Sequence, residues 1–320
     1  MKYIGIDIGG TNLKSGMVDE GGRIVAIKKM KMASITDALS LTEAIHGLVL
    51  DLCKETETEE AELFSVGVGC PGTVEIRGGS ILSTCNLPFR NVPLRRLYHQ
   101  VSRTPLYIEN DANCAALGEY YAGAGRGSKR FITVTLGTGV GGGIIHNGKI
   151  YHGSNGMAGE VGHMSIEMNG EPCPCGNFGC WERYASATAL KRQTAVAAER
   201  HPDSLLAKVI EEKGRVFGQA AFVAARMGCP VGQQVCDQYI DYLAVGIINL
   251  INIFQPETLA IGGGVSNEED EQLLFPLRER VAAHVIAGNH EKKTQIVKAQ
   301  LGNDAGLVGA ALLGRKKRII

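Results

Sequence analysis

Hydrophobic positions at the start of the chain fall in short β-type runs that stop at glycine. "YIGIDIGGTNLKSGMVDEGGRIV" reads as a strand, a glycine turn, a second strand, a turn at Glu20-Gly21-Gly22 and a third strand. "RFITVTLGTGVGGGIIHNGKIYHG" repeats that plan, its second turn falling at Asn147-Gly148, a dipeptide suited to a tight hairpin. The copies begin about 130 residues apart, self-similarity that predicts two related half-molecules. Further extended runs occur at "LFSVGVGCPG" and "TPLYIEN". Helical patterns follow in "LTEAIHGLVLDLCKE", "EQLLFPLRERVAAHVI" and the final "NDAGLVGAALLG". "VGIINLINIFQPETLAIGGGVS" reads as a helix, a stop at Gln255-Pro256, a short strand, and then Gly262-Gly263-Gly264 ahead of another helix. Strands and helices interleaved in this way predict α/β domains around a mixed sheet.

Composition narrows the class. The chain has 320 residues, enough for two domains with substantial cores. Lys+Arg and Asp+Glu number 33 each, so no sequence-wide charge attracts nucleic acid or an anionic membrane. The basic run Arg315-Lys316-Lys317-Arg318 reads as a solvated tail. "MKYIGIDIGG" has no secretory h-region, and the most apolar stretch, "YLAVGIINLINIF", is broken by Asn249 and Asn252. The nine cysteines are an odd number and six of them lie singly, which points to a reducing cytoplasm. Gly, at 42 residues, is about twice its usual share and is clustered in and beside the turns, as expected where backbone approaches something closely.

Two such turns have a chemistry in common. Consecutive backbone N–H groups in a Gly-rich turn make a concavity suited to phosphate oxygens. Gly9, Gly10, Thr11 and Asn12 would form one grip and Gly137, Thr138 and Gly139 the other, with Lys14 adding a positive charge. Asp7, at the end of the first strand, is placed to hold a hydrated Mg²⁺ beside the phosphates. Gly137, Gly139 and Gly142 also match a dinucleotide fingerprint, but that motif must open a helix and this one runs into β-branched residues and an Asn-Gly turn. No P-loop pattern occurs. Ordinary hairpins with glycine for turn geometry remain the plain alternative. Gly262, Gly263 and Gly264 at a strand end would leave room for an adenine ring.

In this order the elements resemble phosphate-1, phosphate-2 and adenosine of the sugar kinase, Hsp70 and actin superfamily. More narrowly the chain resembles the ROK family (repressor, open reading frame, kinase), nearest to its ATP-dependent glucokinases. The likeness rests on "DIGGTNLKSG", "LGTGVGGGI", "ENDAN", "GEVGH" with the following cysteines, and "IGGGV", and it covers essentially the full length. It implies a two-lobed actin-like ATPase (ribonuclease H-like) α/β fold, with duplicated mixed-sheet domains around a central cleft. The expected lobes are 1–112 plus 303–320, carrying phosphate-1 and part of the sugar site, and 113–302, carrying phosphate-2, a zinc knuckle and the adenosine motif.

Residue roles follow from the same resemblance. By sequence alone Asp111, near a helix N-terminus, reads as a helix cap, where the dipole favours a carboxylate. The family's matching Asp is its catalytic base, which reverses that preference. Asn110, Glu160, His163 and Glu182 match residues that hold sugar hydroxyls, and "CPGTVE" and "STCNLPF" nominate Gly72 and Asn86. His163, Cys173, Cys175 and Cys180 form a soft ligand set suited to a closed, structural Zn²⁺ site, at the family's spacing. A disulfide or core packing accounts less well for a Cys-x-Cys pair with a third Cys five residues on. If zinc takes one ring nitrogen of His163, the other can meet a sugar hydroxyl. Glu167 and Glu171 read as surface charges.

The resulting expectation is an ATP- and Mg²⁺-dependent hexose kinase with structural Zn²⁺, acting on O6 of glucose, cytoplasmic and homodimeric, with no nucleic-acid or membrane partner. Related kinases act on fructose, mannose, allose, N-acetylmannosamine or N-acetylglucosamine. The family's sugar-sensing repressors need a helix-turn-helix ahead of the first hairpin, and here the first strand starts at Tyr3. A non-catalytic sugar sensor is the remaining alternative.

Overall fold

The computed structural model describes residues 1–84, 87–286 and 290–315; Asn86 of the expected sugar loop and residues 316–318 of the basic run lie outside them. The first hairpin forms as β1 (Lys2–Ile8), β2 (Asn12–Asp19) and β3 (Ile24–Lys31), paired antiparallel with Ile8 opposite Leu13. After α1 (Ala38–Glu55), β4 (Leu63–Cys70) lies parallel to β1. A small antiparallel sheet of β5 (Thr73–Glu75), β6 (Ser80–Ser83) and β7 (Arg90–Val92) follows, then α2 (Leu94–Tyr98). Next, β8 (Leu106–Asn110) pairs parallel to β4 and passes directly into α3 (Asp111–Ala122). The sheet order is β3-β2-β1-β4-β8.

The second copy has the same plan. Its hairpin is β9 (Arg130–Leu136), β10 (Val140–His146) and a two-residue β11 (Lys149–Ile150). Helices α4 (Glu182–Ala185), α5 (Ala187–Arg200), α6 (Leu205–Lys213), α7 (Ala220–Arg226) and α8 (Pro230–Phe254) come next. They are followed by β12 (Thr258–Gly262), α9 (Leu274–His284), β13 (Gln295–Lys298) and α10 (Ala305–Ala311). The order β11-β10-β9-β12-β13 repeats the first sheet strand for strand, with β12 and β13 parallel. Because β10 follows the Gly137–Gly139 turn, the dinucleotide-fingerprint alternative fails: no helix opens there. Asn147 (φ 50°) and Gly148 (φ 70°) adopt the left-handed turn expected of Asn-Gly.

Two compact units result, 1–131 with 143–159 and 300–320, and 132–142 with 160–299. These limits differ from the expected 1–112 plus 303–320. Helix α3 stays in the first unit because it lies against α10: a Cβ on Gly309 would sit 1.7 Å from the Cys114 carbonyl carbon's oxygen, and one on Gly118 would sit 2.2 Å from that of Ala305. The first unit also takes in 143–159, the second half of the β10 strand and the loop beyond it.

Alternation along β1 explains the layering of the first unit. Ile4, Ile6 and Ile8 join Leu41, Ile45, Leu48 and Leu52 of α1 in one core. Each such buried side chain contributes roughly 1.5–3 kcal/mol. Tyr3 faces the other way and joins Val18, Leu307, Val308 and Ala311. On that face α10 lies directly on the sheet, because Gly5 and Gly67 have no side chains: a Cβ would be 2.0 Å from the Leu307 oxygen or 1.8 Å from the Ala310 oxygen. The expected return of the last helix to the first unit is held by Glu119, which is fully buried. Its carboxylate accepts the backbone N–H groups of Ala124 (2.9 Å), Gln300 (3.0 Å) and Leu301 (2.7 Å). Gly67→Ala is therefore expected to destabilise the protein by about 3 kcal/mol or more, since backbone rather than a movable side chain must shift. Urea unfolding measures it. Among the described residues no helix is long and apolar enough to cross a membrane.

Candidate active site

In the first unit the site is built around the β8–α3 junction. Asn110 is the N-cap of α3: its Oδ1 accepts from the N–H groups of Ala112 (2.9 Å) and Asn113 (3.2 Å). Asp111 is the first residue of the helix, so the reading of Asp111 as the cap is corrected: Asn110 caps, and Asp111 sits in the first turn. The physical reason is the extended backbone of Asn110 (φ −63°, ψ 146°), which aims its amide oxygen along the helix axis at the exposed N–H groups. Asn110 Nδ2 donates to the Gly72 carbonyl at 3.2 Å. Gly72 itself has φ 100°, and a Cβ there would meet the Ser83 oxygen at 2.4 Å, so no other residue fits.

Asp7, the last residue but one of β1, lies close enough to Asp111 for their charges to oppose one another. Burial first, and then the Asp111 charge, push the Asp7 carboxyl up to about 6, with Lys14 pulling the other way. A carboxylate in such a setting is a ready partner for a divalent cation, so the residues present fit Mg²⁺ held through water. The ammonium of Lys14 is ion-paired with Asp304 and donates to the Asn303 carbonyl at 3.1 Å, so its charge is committed to the segment that opens α10. The sequence reading missed Asp304, whose only local signal is an acid just ahead of a helical run.

Ionised Asp7 costs stability, because its folded pKa lies above its unfolded value of 3.8. That cost is absent below pH 3.8, grows as pH rises, and is complete above pH 6 or so. Asp7→Asn should thus stabilise the Mg²⁺-free protein near pH 8 by up to about 3 kcal/mol. The advantage should vanish toward pH 4, as melting curves across that range would record. An advantage independent of pH would refute the assignment.

In the second unit the knuckle residues converge. The ligand atoms of His163, Cys173, Cys175 and Cys180 all lie within 4.8 Å of one another. Cys173 Sγ is 3.7 Å from His163 Nδ1, and Cys175 Sγ is 3.6 Å from Cys180 Sγ. Tetrahedral zinc with the usual bond lengths demands edges of about 3.6–3.8 Å, so the donor set fits the ion. The nitrogen on the metal side is Nδ1, which leaves Nε2 on the opposite edge of the ring. Burial pushes the Cys173 thiol up to about 12 and raises that of Cys180 as well. A cation is what would allow these sulfurs to be thiolates together. Gly176 (φ 94°) and Gly179 (φ 69°) turn the loop, and a Cβ on Gly179 would collide with the Glu167 oxygen at 1.7 Å.

Trp181 fastens the knuckle. Fully buried, it donates from Nε1 to the Tyr242 carbonyl at 2.9 Å and packs where Gly246 of α8 offers no side chain. The next residue, Glu182, reaches to 3.3 Å from Cys173 Sγ and 3.8 Å from His163 Nδ1. Its other oxygen lies where a Cβ on Gly139 would be, 2.5 Å away. Gly162 packs on β10, since a Cβ would meet the Val140 oxygen at 2.0 Å, and so places Glu160 and His163 at the ends of one tight turn. Glu167 is exposed, as expected for a surface charge. Glu171 corrects that expectation: it pairs with both Arg183 (3.3 Å) and Arg192 (2.6 Å), tying the knuckle to α5.

Each glycine turn proves to contain two kinds of glycine. Gly9, Gly139 and Gly263 are pressed against protein, by the Asn12 oxygen, the Glu182 carboxylate and the Leu136 backbone respectively. Gly10, Gly137 and Gly264 face open space, with no atom within 4 Å of a notional Cβ. For Gly263 contact with β9 by itself requires glycine. That contact brings the Gly262–Gly264 run against the end of β9, just ahead of Gly137. Beyond Gly264 a cleft of about 520 Å³ is lined by Phe217, Gln219, Arg226, Asn267 and Glu268.

The ROK family model matches residues 3–317. The chain belongs to the ROK family. Glucokinase of Streptomyces coelicolor is 37% identical to this ROK protein over 318 residues, 98% of this chain and 97% of that one. Glucokinase of Halalkalibacterium halodurans is 36% identical over 319 residues, 98% and 95% of the two chains. Among solved structures, the ROK family glucokinase of Streptomyces griseus in complex with glucose and AMPPNP is 36% identical, with a TM-score of 0.80 over 98% of this chain and 99% of that one. The duplicated sheets of this ROK protein are those of the actin-like ATPase fold.

Proposed function

We propose that this ROK protein is an ATP- and Mg²⁺-dependent hexose kinase that transfers the γ-phosphoryl group of ATP to O6 of glucose. The observation that carries the reading is the division of labour at the β8–α3 junction: Asn110 supplies the helix cap, and Asp111 presents a carboxylate in the first turn beside Asp7. The names of the similar proteins, glucokinases over nearly the whole chain, support the substrate. Asp111 accepts the O6 proton as O6 bonds to the γ-phosphorus and the bond to the β-phosphate oxygen breaks, releasing ADP; the proton then passes to solvent. Asn110, Glu160, Glu182 and the Nε2 edge of His163 hold the sugar hydroxyls, with Gly72 beside Asn110; Asn86 lies outside the described residues. Mg²⁺ would neutralise charge on the phosphates, held by Asp7 through water. Zinc would fix the ring of His163. Gly9, Gly10, Thr11, Asn12, Gly137, Thr138 and Gly139 receive the phosphates, and Gly262, Gly263 and Gly264 border the adenosine. A homodimer belongs to the same reading, and light scattering checks it.

Purified protein with Mg-ATP and a panel of hexoses and N-acetylhexosamines, followed by ADP release, tests the proposal. Glucose should lead the ranking; no turnover with any sugar would sink it. The open glycines give a sharper check on the nucleotide site. Gly10→Ala and Gly264→Ala meet no protein atom. They should leave unfolding stability within about 0.5 kcal/mol of wild type. Each should nonetheless raise the KM for ATP about tenfold, because the added methyl group would stand where the nucleotide has to approach the backbone, an overpacking cost of roughly 1–3 kcal/mol. Unchanged ATP kinetics in both would mean that the phosphates and adenosine sit elsewhere.

A further inference from the structure

Glu109, the residue before Asn110 on β8, is an acid with a side chain only 3% exposed. A buried carboxylate is costly unless every lone pair finds a donor, and an apolar residue would fill this strand position at lower cost. Its oxygens are committed to the peptide that carries the site. Oε1 accepts the backbone N–H of Asn110 at 2.9 Å and the side-chain amide of Asn113 at 3.0 Å. Oε2 accepts from Nε2 of His152 at 2.7 Å, a distance typical of a charge-assisted bond. His152 comes from far along the chain, in the segment after β11, and is 33% exposed.

That segment is a closed turn. The His152 carbonyl accepts the Ala158 N–H at 3.2 Å, Gly153 takes φ 67°, and Met157 N–H is bound by Asn155 Oδ1 at 3.2 Å. Its middle passes β5, where a Cβ on Gly156 would come 3.9 Å from the Val74 oxygen. The same stretch of backbone, at Gly72, holds the Asn110 amide. One imidazole therefore links a loop from the second hairpin to the acid that orients Asn110 and, one residue on, Asp111.

We propose that His152 and Glu109 are a positioning pair for phosphoryl transfer. By donating to Glu109, the imidazole fixes the pitch of the Asn110–Asp111 peptide and seats the 152–158 loop beside Gly72, so that the sugar hydroxyl meets the Asp111 carboxylate in line. The inference rests on the reading of Asp111 as the base. Neither residue reaches the reacting atoms; both act through Asn110.

Steady-state kinetics of the full chain test it, with sugar and ATP varied separately. His152→Ala should lower kcat/KM for the sugar by about 10²-fold, the cost of a misplaced reacting group, with the KM for ATP unchanged within about twofold. His152→Gln can still donate to Oε2 and should recover most of that loss. In a Glu109→Gln background, His152→Ala should add little further loss, because the two act as a unit. Wild-type sugar kinetics in folded His152→Ala would overturn the proposal. So would a loss shared equally by sugar and ATP and matched by lower thermal stability, since that is a structural role alone. A folded His152→Gln as impaired as the Ala variant would likewise overturn it, because the hydrogen bond would not be what matters. Asp111→Asn run in parallel separates the two readings. If that variant is inactive while His152→Ala is normal, only the positioning pair fails. If it keeps full turnover, the base assignment fails and the pair with it.

Discussion

Asp111→Asn is expected to lower kcat by about 10²–10⁴-fold, the usual worth of a positioned general base. The substitution is nearly isosteric, and its effect can be read cleanly because of who caps α3. Asn110 Oδ1 takes the Ala112 and Asn113 N–H groups, and the Ala112 N–H that Asp111 Oδ1 shares at 2.9 Å can still be met by the amide oxygen of Asn, so the helix keeps its cap. Melting temperature and the KM for ATP should accordingly stay near wild type. Removing that charge also takes away one of the two causes that hold the Asp7 carboxyl high, so Asp7 should titrate lower in the variant. Rapid-quench measurement of the first turnover isolates the chemical step from product release. A kcat within threefold of wild type would show that sugar deprotonation does not depend on Asp111.

Cys175→Ser should empty the knuckle of zinc and weaken sugar binding together. Cys175 is the exposed member of the set, so its loss creates no cavity. The remaining ligands, His163, Cys173 and Cys180, would lose a closed tetrahedral site, and structural zinc is worth folding free energy outright. The consequence for function runs through orientation. His163 Nδ1 belongs to the metal side, and Glu182 stands 3.3 Å from Cys173 Sγ with its other oxygen over Gly139. Letting the cluster relax frees the imidazole and the Glu182 carboxylate at once, and the KM for sugar should rise about 10–100-fold, the usual cost of losing an orienting partner around a metal. Elemental analysis beside sugar titration checks both halves. Metal-free protein with wild-type sugar affinity would break the link between knuckle and sugar.

Much of this architecture was legible because it is written locally. The hairpins follow from β-type runs that end in glycine, the β10 reading from residues that favour strand after Gly142, and the knuckle from ligand spacing within one loop. Which residue caps α3 was not legible, because Asn and Asp are both good N-caps and the backbone angles of the junction decide which one is used. At Gly263 the limit is related: composition reports that no side chain is tolerated, but that the Leu136 backbone lies against it is decided by packing.

The duplicated α/β plan, the glycine turns at the strand ends and the His-Cys cluster were therefore readable from the chain, since each depends on residues that are neighbours in it. Tertiary structure alone decided the partners of the charges. Lys14 meets Asp304 across 290 positions, Glu119 holds the Gln300 and Leu301 N–H groups from more than half the chain away, and Glu109 finds His152. An isolated acid or base in a sequence carries no mark of its partner, because a solvated charge and a paired one have the same residue type. Only the packing that removes water from Glu109 and Glu119 obliges each to find its donors.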